Sequence, residues 1–402
     1  DGRNSGPMLS RAITAALTAS GRDCIDADVA ATPTIGVLVR ELKAAGAVQI
    51  SASHNPPPYN GIKLFGPAGR VLDAKTGTAI RDAYFAHEAD WAPFDQLGII
   101  SNSEDPHLPH LEKVLATVDV GAIAQAKHRV LLDSNHGAGG LLGKRLLEKL
   151  GCEVVLVGET PDGQFAHVPE PTADNLQGIA ERVRAEGCAV GFCQDPDADR
   201  LALVDGAGRY IGEEYTLALC VQRAMTHSDT RGPVVINGAT SGMSESLAEQ
   251  AGVQAFRSAV GEANVADMMI AKHATYGGEG NGGPIDPRVG YVRDSFVGMA
   301  QVLDLMTSSG KSLAELADAL PEFHIVKSVA QVTADELPGL LSRLISAHPE
   351  ADATTGDGLR LAWSDKWLLV RGSNTEPIVR LIAEAQTPTE AQDLCDRAAA
   401  LI

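Results

Sequence analysis

The sequence lacks any apolar run close to the roughly 18 residues that a membrane-spanning helix requires, although hydrophobic residues make up 44% of its 402 positions. We therefore expect a soluble protein without a membrane partner. Basic residues are also scarce, because 33 lysines and arginines stand against 52 acidic residues, a formal net charge of −19. This deficit argues against nucleic acid, whose phosphates are bound largely by positive charge. A small anion remains compatible, because a few focused cations and helix N-termini are enough to bind it.

Cysteine is sparse as well. The six cysteines include no Cys-x-x-Cys pair and form no dense framework. We interpret them as buried thiols of a reducing compartment and expect a cytoplasmic protein.

The length predicts several domains, since 402 residues exceed one core at roughly 100–200 residues per domain. Proline breaks after Asp105 and Leu108 favour a first boundary near 105. We predict four domains, with α/β structure in the first three and α+β structure in the last. Their predicted ranges are 1–105, 106–208, 209–319 and 320–402. In the first range we expect a helix over residues 7–17, then a βαβ unit with a strand near 28–30 and a helix over 32–43.

A candidate nucleophile lies in residues 51–65, which read SASHNPPPYNGIKLF. The proline run cannot continue a helix or a central strand, so Ser53 is predicted to lie on a stiff loop. A serine hydroxyl needs a partner that removes its proton, and His54 is adjacent while Lys63 follows ten positions later. The alternative interpretation is an ordinary proline-rich turn.

Three carboxylates alternate in residues 195–200, DPDADR, between two apolar strands. Alternate residues of an extended segment point the same way, so Asp195, Asp197 and Asp199 are predicted to converge on one hard cation. An EF-hand loop is excluded, because it requires Gly and Glu where this chain has Arg200 and Gly206. A solvated acidic turn is the remaining alternative.

Two further loops are rich in groups that bind sugars and phosphates. Residues 277–283 read GGEGNGG, in which glycines allow a ligand to approach and Glu279 can accept from vicinal hydroxyls. Residues 371–377 read RGSNTEP and precede Arg380, which supplies the charge and donors that a phosphate dianion requires. The alternatives are a flexible surface loop and a polar hairpin with structural ion pairs.

Taken in order, these four motifs resemble those of the α-D-phosphohexomutase family. The family patterns are Thr/Ser-Ala-Ser-His-Asn-Pro, Asp-Gly-Asp-Ala-Asp-Arg, Gly-Glu-x-Ser-Gly-His and Arg-x-Ser-x-Thr-Glu-Pro-x-x-Arg. The resemblance implies three similar mixed α/β domains and a C-terminal α+β domain around a central cleft. It also implies that a strand and an arginine-containing loop precede Asp1, so we expect a first domain that is truncated at its N-terminus.

The resemblance further implies a phosphoryl group on Ser53 and Mg²⁺ held by Ser53 together with the three aspartates. His54, Lys63 and Arg200 are the other implied catalytic residues, and Lys63 is the candidate general acid/base. The implied substrate-binding residues are Glu279, Asn281, Arg371, Ser373, Asn374, Thr375 and Arg380.

The implied activity is the interconversion of hexose 6-phosphate and hexose 1-phosphate, with a hexose 1,6-bisphosphate as intermediate and activator. Asn281 and Gly283 replace Ser and His of the family pattern, a variant that looks like archaeal-type phosphoglucosamine mutases. We therefore predict glucosamine phosphate as substrate and a monomer or homodimer without nucleic-acid or membrane partners. The alternatives are a phosphomannomutase or phosphoglucomutase, a phosphatase, and a catalytically silent sugar-phosphate binding protein. Pro196 replaces a family glycine and leaves the geometry of the metal loop open.

Overall fold

The computed structural model describes residues 1–87, 89–228, 230–373 and 377–402. We describe the chain in four segments that follow the predicted boundaries, which themselves stay predictions. In the described residues no helix combines the length and apolar character that crossing a bilayer requires.

The described residues of segment 1 form three helices and two small sheets. Its elements are α1 (Gly6–Ala19), β1 (Cys24–Asp26), α2 (Thr32–Glu41), β2 (Ala47–Ile50), β3 (Ile62–Phe65), α3 (Ala74–Phe85) and β4 (Ile100–Asn102). β1 pairs with β4 in parallel, whereas β2 pairs with β3 in antiparallel orientation. The predicted helices are confirmed, but the strand near 28–30 is wrong. Asp28 has a φ of +53°, which a strand does not allow, and β1 and β2 belong to separate sheets in the described chain.

Segment 2 forms a five-stranded sheet. Its elements are α4 (Leu108–Leu115), α5 (Val120–Ala126), β5 (Arg129–Asp133), α6 (Gly139–Lys149), β6 (Glu153–Val157), α7 (Gln177–Ala185), β7 (Val190–Gln194), β8 (Leu201–Asp205) and β9 (Tyr210–Gly212). The strand order is β6-β5-β7-β8-β9, with the first three parallel and the last two antiparallel. Successive side chains of β5 enter two different cores, because a strand's residues alternate between its faces.

Segment 3 also forms a mixed sheet whose first three strands in spatial order are parallel, as in segment 2. Its elements are α8 (Glu213–Thr226), β10 (Val234–Asn237), α9 (Met243–Gln250), β11 (Ala255–Ser258), α10 (Glu262–Ala271), β12 (Tyr276–Glu279), β13 (Gly283–Ile285), α11 (Ser295–Ser309) and α12 (Leu313–Asp318). The order is β11-β10-β12-β13, and only β13 is antiparallel. Helix α11 is buried over most of its length and packs against α8 and α5, so it joins the cores of segments 2 and 3.

The described part of segment 4 forms an antiparallel sheet with two helices and its own core. Its elements are β14 (His324–Gln331), α13 (Leu337–Ala347), β15 (Asp352–Gly356), β16 (Gly358–Ala362), β17 (Trp367–Gly372), β18 (Ile378–Ala385) and α14 (Pro388–Ala399). The strand order is β14-β18-β17-β16-β15. Together with the three mixed α/β segments, this confirms the predicted fold class.

One topological feature recurs in all four segments. Each loop that the sequence singled out joins two antiparallel neighbours: β2 and β3, β7 and β8, β12 and β13, and β17 and β18. The four polar loops thus share one kind of connection, a link between two neighbouring antiparallel strands.

Candidate active site

The loop between β2 and β3 holds Ser53 in an unusual backbone conformation. Its φ is +48°, in the left-handed region that residues other than glycine rarely adopt. Such strain persists only where surrounding contacts determine it, and it is common at functional sites. The Ser53 N–H donates to the Ser51 hydroxyl at 2.9 Å, which helps to fix this turn.

Arg3 encloses the same loop from the other side. Its guanidinium donates to four carbonyl oxygens of the loop at 2.6–3.2 Å, those of Ser53, Asn55, Pro56 and Tyr59. The Arg3 side chain is buried, so its charged guanidinium makes these hydrogen bonds with little competition from water. Arg3 therefore stabilises the conformation that presents Ser53.

Ser53 lies directly against the acidic loop of segment 2. Its hydroxyl donates to Asp195 Oδ2 at 2.7 Å, and its oxygen is 3.4 Å from His54 Nδ1. Burial, together with the positive charge of Arg200, lowers the pKa of His54 to about 4. His54 is thus an uncharged imidazole at neutral pH.

The three aspartates converge as predicted, but not on an extended strand. Residues 195–198 form a turn closed by the Ala198 N–H donating to the Asp195 carbonyl at 2.9 Å, and Ala198 has a φ of +55°. All three carboxylates are fully buried, with one oxygen of each within 4.8 Å of the others. The solvated acidic turn is therefore wrong.

One carboxylate oxygen of Asp197 and one of Asp199 already accept hydrogen bonds from other side chains. Asp197 Oδ2 accepts from Thr32 Oγ1 at 2.6 Å and from Lys63 Nζ at 2.5 Å. Asp199 Oδ2 accepts from Lys63 Nζ at 2.8 Å and from Arg293 Nη2 at 2.7 Å. In contrast, Oδ1 of Asp197 and Oδ1 of Asp199 have no hydrogen-bond partner among the described residues.

Buried, unpartnered carboxylate oxygens are costly unless a cation binds them. The donor set is all oxygen, as Mg²⁺ prefers. Burial and the charges of its two neighbours raise the pKa of Asp195 well above its usual range. A divalent cation would relieve that repulsion, so the triplet fits Mg²⁺.

Lys63 and Arg200, the two cations predicted to act in catalysis, both lie close to the triplet. Burial disfavours the charged form of Lys63, but Asp197 and Asp199 outweigh it and raise the pKa of the ammonium. Arg200 donates its backbone N–H to Asp195 Oδ1 at 3.1 Å, and its Nε is 3.9 Å from Asp199 Oδ1. Both positive charges therefore lie at the acidic loop.

Pro196 is accommodated by the glycine turn of segment 2. Its carbonyl accepts from the Ala138 N–H at 2.7 Å, and a Cβ at Gly137 would lie 2.4 Å from the same oxygen. The glycines after β5 thus support the metal loop through close backbone contact.

Glu279 ends β12 and is buried with four donors around it. Oε1 accepts from Asn237 Nδ2 at 2.7 Å and from the Gly261 N–H at 2.9 Å. Oε2 is 3.1 Å from Arg293 Nη1 and 3.4 Å from Asn281 Nδ2. The predicted acceptor is consequently already held inside the protein, whereas Asn281 Oδ1 has no partner in the described part of the chain.

The candidate phosphate loop lies between β17 and β18. Arg371 and Arg380 are paired residues on these neighbouring strands, so their side chains share one face of the sheet. Arg371 Nε donates to Asp357 Oδ1 at 2.5 Å, and the Ser373 N–H donates to the Ile378 carbonyl at 2.9 Å. Asn374 and Thr375 lie outside the described residues.

Three side chains of this site were not predicted from the sequence: Arg3, Thr32 and Arg293. Thr32 and Arg293 contact the acidic loop from 165 and 94 positions away, a distance over which local patterns carry no signal.

Comparison with known proteins places all four segments in one family. Residues 1–90, 108–208 and 213–323 match "Phosphoglucomutase/phosphomannomutase, alpha/beta/alpha" domains I, II and III, and residues 325–401 match the C-terminal domain of the same family.

Individual relatives match over nearly the whole chain. A "Phosphoglucomutase/phosphomannomutase" of Thermococcus kodakarensis is 36% identical over 98% of this chain and 86% of its own length. A "Probable phosphoglucosamine mutase" of Methanopyrus kandleri is 32% identical over 96% and 85%. The crystal structure of a putative phosphomannomutase from Thermus thermophilus superposes with a TM-score of 0.83 at 25% identity, covering 99% of this chain and 88% of that one. The chain therefore belongs to the phosphoglucomutase/phosphomannomutase family, the α-D-phosphohexomutases that its motifs resemble.

Proposed function

We propose that this protein is a phosphohexose mutase that interconverts hexose 6-phosphate and hexose 1-phosphate through a phosphoserine at Ser53. One observation carries the proposal. A serine in a strained loop donates to a buried aspartate whose two neighbouring aspartates each keep one oxygen free for a cation. Family membership supports the same reaction class.

In the first transfer, the bond between phosphorus and Ser53 Oγ breaks while a bond to the free hydroxyl of the hexose phosphate forms. The product is a hexose 1,6-bisphosphate. This sugar reorients and returns its other phosphoryl group to Ser53, so no nucleotide is consumed. When bound to Ser53 and the three aspartates, Mg²⁺ supplies positive charge to the phosphoryl oxygens.

Proton handling falls to Lys63 and His54. Lys63 Nζ contacts Asp197 and Asp199, and His54 Nδ1 lies 3.4 Å from Ser53 Oγ, so both groups are proposed to exchange protons where the phosphoryl group is transferred. Arg200 adds positive charge where the transferred phosphoryl group passes. Arg371, Ser373, Asn374, Thr375 and Arg380 are proposed to hold the phosphate that does not react.

The preferred sugar is proposed to be glucosamine phosphate. The name of the Methanopyrus kandleri relative supports this choice, while that of the Thermococcus kodakarensis relative names phosphoglucomutase and phosphomannomutase instead. The carboxylate of Glu262 is another candidate counter-charge for an ammonium at C2. Its Oε2, however, accepts from the Arg293 backbone N–H at 2.9 Å and from Arg293 Nε at 3.0 Å. Asn281 Oδ1 is the better-placed acceptor in this loop.

The sugar choice predicts a rank order. We expect kcat/KM for glucosamine 6-phosphate to exceed the values for mannose and glucose 6-phosphates in one buffer with one bisphosphate activator. If mannose or glucose leads by tenfold or more, about 1.4 kcal/mol in transition-state binding, glucosamine phosphate is the wrong substrate while the mutase assignment stands.

Glu279→Gln is expected to lower turnover on every hexose phosphate. Glutamine keeps the size but turns an NH₂ group towards one of the donors that now surround the carboxylate. A loss of roughly 10²-fold in kcat/KM corresponds to about 2.7 kcal/mol. Glu245→Gln, which weakens an ion pair with Arg257 in the same segment, serves as control and should change kcat/KM little. Equal turnover of the Glu279 variant and the wild type would remove Glu279 from the site.

We propose that the enzyme is cytoplasmic, because the cysteine pattern favours that compartment. Its oligomeric state, monomer or homodimer, stays a prediction.

A further inference from the structure

Arg293 lies between β13 and α11, and only 10% of its side chain is exposed. Three of its nitrogens each contact a different carboxylate. Nη2 donates to Asp199 at 2.7 Å, Nε donates to Glu262 at 3.0 Å, and Nη1 is 3.1 Å from Glu279. One guanidinium thus joins three places: the acidic loop of residues 195–200, here called the metal loop, the start of α10, and the loop of residues 277–283, here called the sugar loop.

The geometry of these contacts makes the guanidinium rigid. Glu262 Oε2 accepts from both the backbone N–H and Nε of Arg293, which fixes the orientation of the planar group. The two terminal nitrogens then have fixed positions relative to each other. The carboxylates of Asp199 and Glu279 are therefore held at fixed positions relative to each other. Neither can shift without moving the guanidinium or losing its contact with it.

Gly283 provides the space for this arrangement. A Cβ at position 283 would lie 2.4 Å from Arg293 Cδ and 2.7 Å from Cγ, closer than real atoms approach. The family pattern has a histidine at this position, so in this chain the Arg293 side chain occupies volume that a side chain at 283 would otherwise take. The absence of a side chain at position 283 is therefore what leaves room for Arg293.

We propose that Arg293 is a positioning residue that couples the metal loop to the sugar loop. A cation held by Asp199 and a sugar bound beside Glu279 both stabilise the single arrangement that Arg293 fixes, so each ligand raises the affinity for the other. The inference deepens the proposed function and rests on it for the identity of the two ligands. Arg293 itself needs no contact with either.

The first arm of the test uses Mg²⁺ alone, without any sugar. In the wild type, Mg²⁺ is expected to slow amide hydrogen exchange in peptides that cover residues 276–285, which contain no residue of the acidic triplet. This protection is expected to disappear in Arg293→Lys, since one ammonium cannot span three carboxylates, and in Glu262→Gln, which removes the anchoring charge. Gly283→Ala should act in the same way by displacing Arg293.

Arg223→Met is the matched control. Arg223 is a buried arginine of the same segment, and its side chain donates to Asp304 and to the Thr117 carbonyl, each at 2.7 Å. If buried arginines affected exchange only through general stability, this variant would lose the protection too. We expect it to keep the protection.

The second arm measures the dissociation constant of glucosamine 6-phosphate by calorimetry, with and without Mg²⁺, on protein whose Ser53 carries no phosphate. Mg²⁺ is expected to tighten binding by about fivefold or more in the wild type and by less than about twofold in the Arg293 and Glu262 variants. Unchanged coupling in these variants, or no effect of Mg²⁺ on residues 276–285 of the wild type, overturns the proposal. Failure of the wild type to bind any hexose phosphate would contradict the proposed function instead, and the exchange experiment would still decide the coupling.

Discussion

Ser53→Ala is expected to abolish mutase turnover, with a loss of at least about 10⁴-fold in kcat, because the oxygen that carries the phosphoryl group is removed. Binding of hexose phosphate should be largely kept, since the phosphate loop of segment 4 is separate from the nucleophile loop. Steady-state kinetics and calorimetry on the same preparation measure the two quantities.

Ser51→Ala is the control for this variant. The Ser51 hydroxyl accepts from the Ser53 N–H and donates to Asp1, so its loss loosens the loop without removing the nucleophile. We expect kcat to fall by less than about 10²-fold, which corresponds to a rise of less than about 2.7 kcal/mol in the activation free energy. Turnover by purified Ser53→Ala at the level of Ser51→Ala would rule out Ser53 as the phosphoryl carrier.

Removal of the divalent cation is the second change with a large expected effect. Excess chelator should eliminate turnover and added Mg²⁺ should restore it, because three buried carboxylates beside Ser53 require a compensating charge. Asp197→Asn should raise the Mg²⁺ concentration for half-maximal activity by roughly 10–100-fold, since one anionic ligand is lost. A Mg²⁺ titration of activity measures the shift.

Asp205→Asn provides a matched comparison for the cation. Asp205 is a buried carboxylate at the end of β8, outside the triplet, and it accepts from the backbone of Ala207 and Arg209. Its Mg²⁺ titration should coincide with that of the wild type. Full activity of the wild type in excess chelator would exclude a metal role for the acidic loop.

The local motifs of the site could be predicted from sequence because their chemistry is contiguous. Ser53 and His54 are neighbours, and the three aspartates fall within five positions, so composition and spacing marked them as candidates and the family resemblance decided between the alternatives. Their convergence was predicted correctly from an incorrect local conformation. The sequence suggested an extended segment, whereas a left-handed Ala198 turns the chain and brings the carboxylates together.

What the sequence could not predict depends on contacts between distant positions. Arg293 and Thr32 reach the acidic loop from other segments, and nothing in their immediate neighbours marks them. The strand placed near residues 28–30 failed for a local reason, because the positive φ of Asp28 has no reliable signature in one sequence. Glu279 was identified, but its four internal donors follow only from the packing of segment 3.

The central claim is that Ser53 carries the phosphoryl group between the two positions of a hexose. Protein freed of phosphate should be incubated with hexose 1,6-bisphosphate labelled with ³²P, and the labelled peptide identified by mass spectrometry. We predict one labelled phosphoryl group on Ser53, which then transfers to unlabelled hexose monophosphate when that sugar is added. Label on another residue, or release of the label as inorganic phosphate instead of transfer to the sugar, would contradict the account.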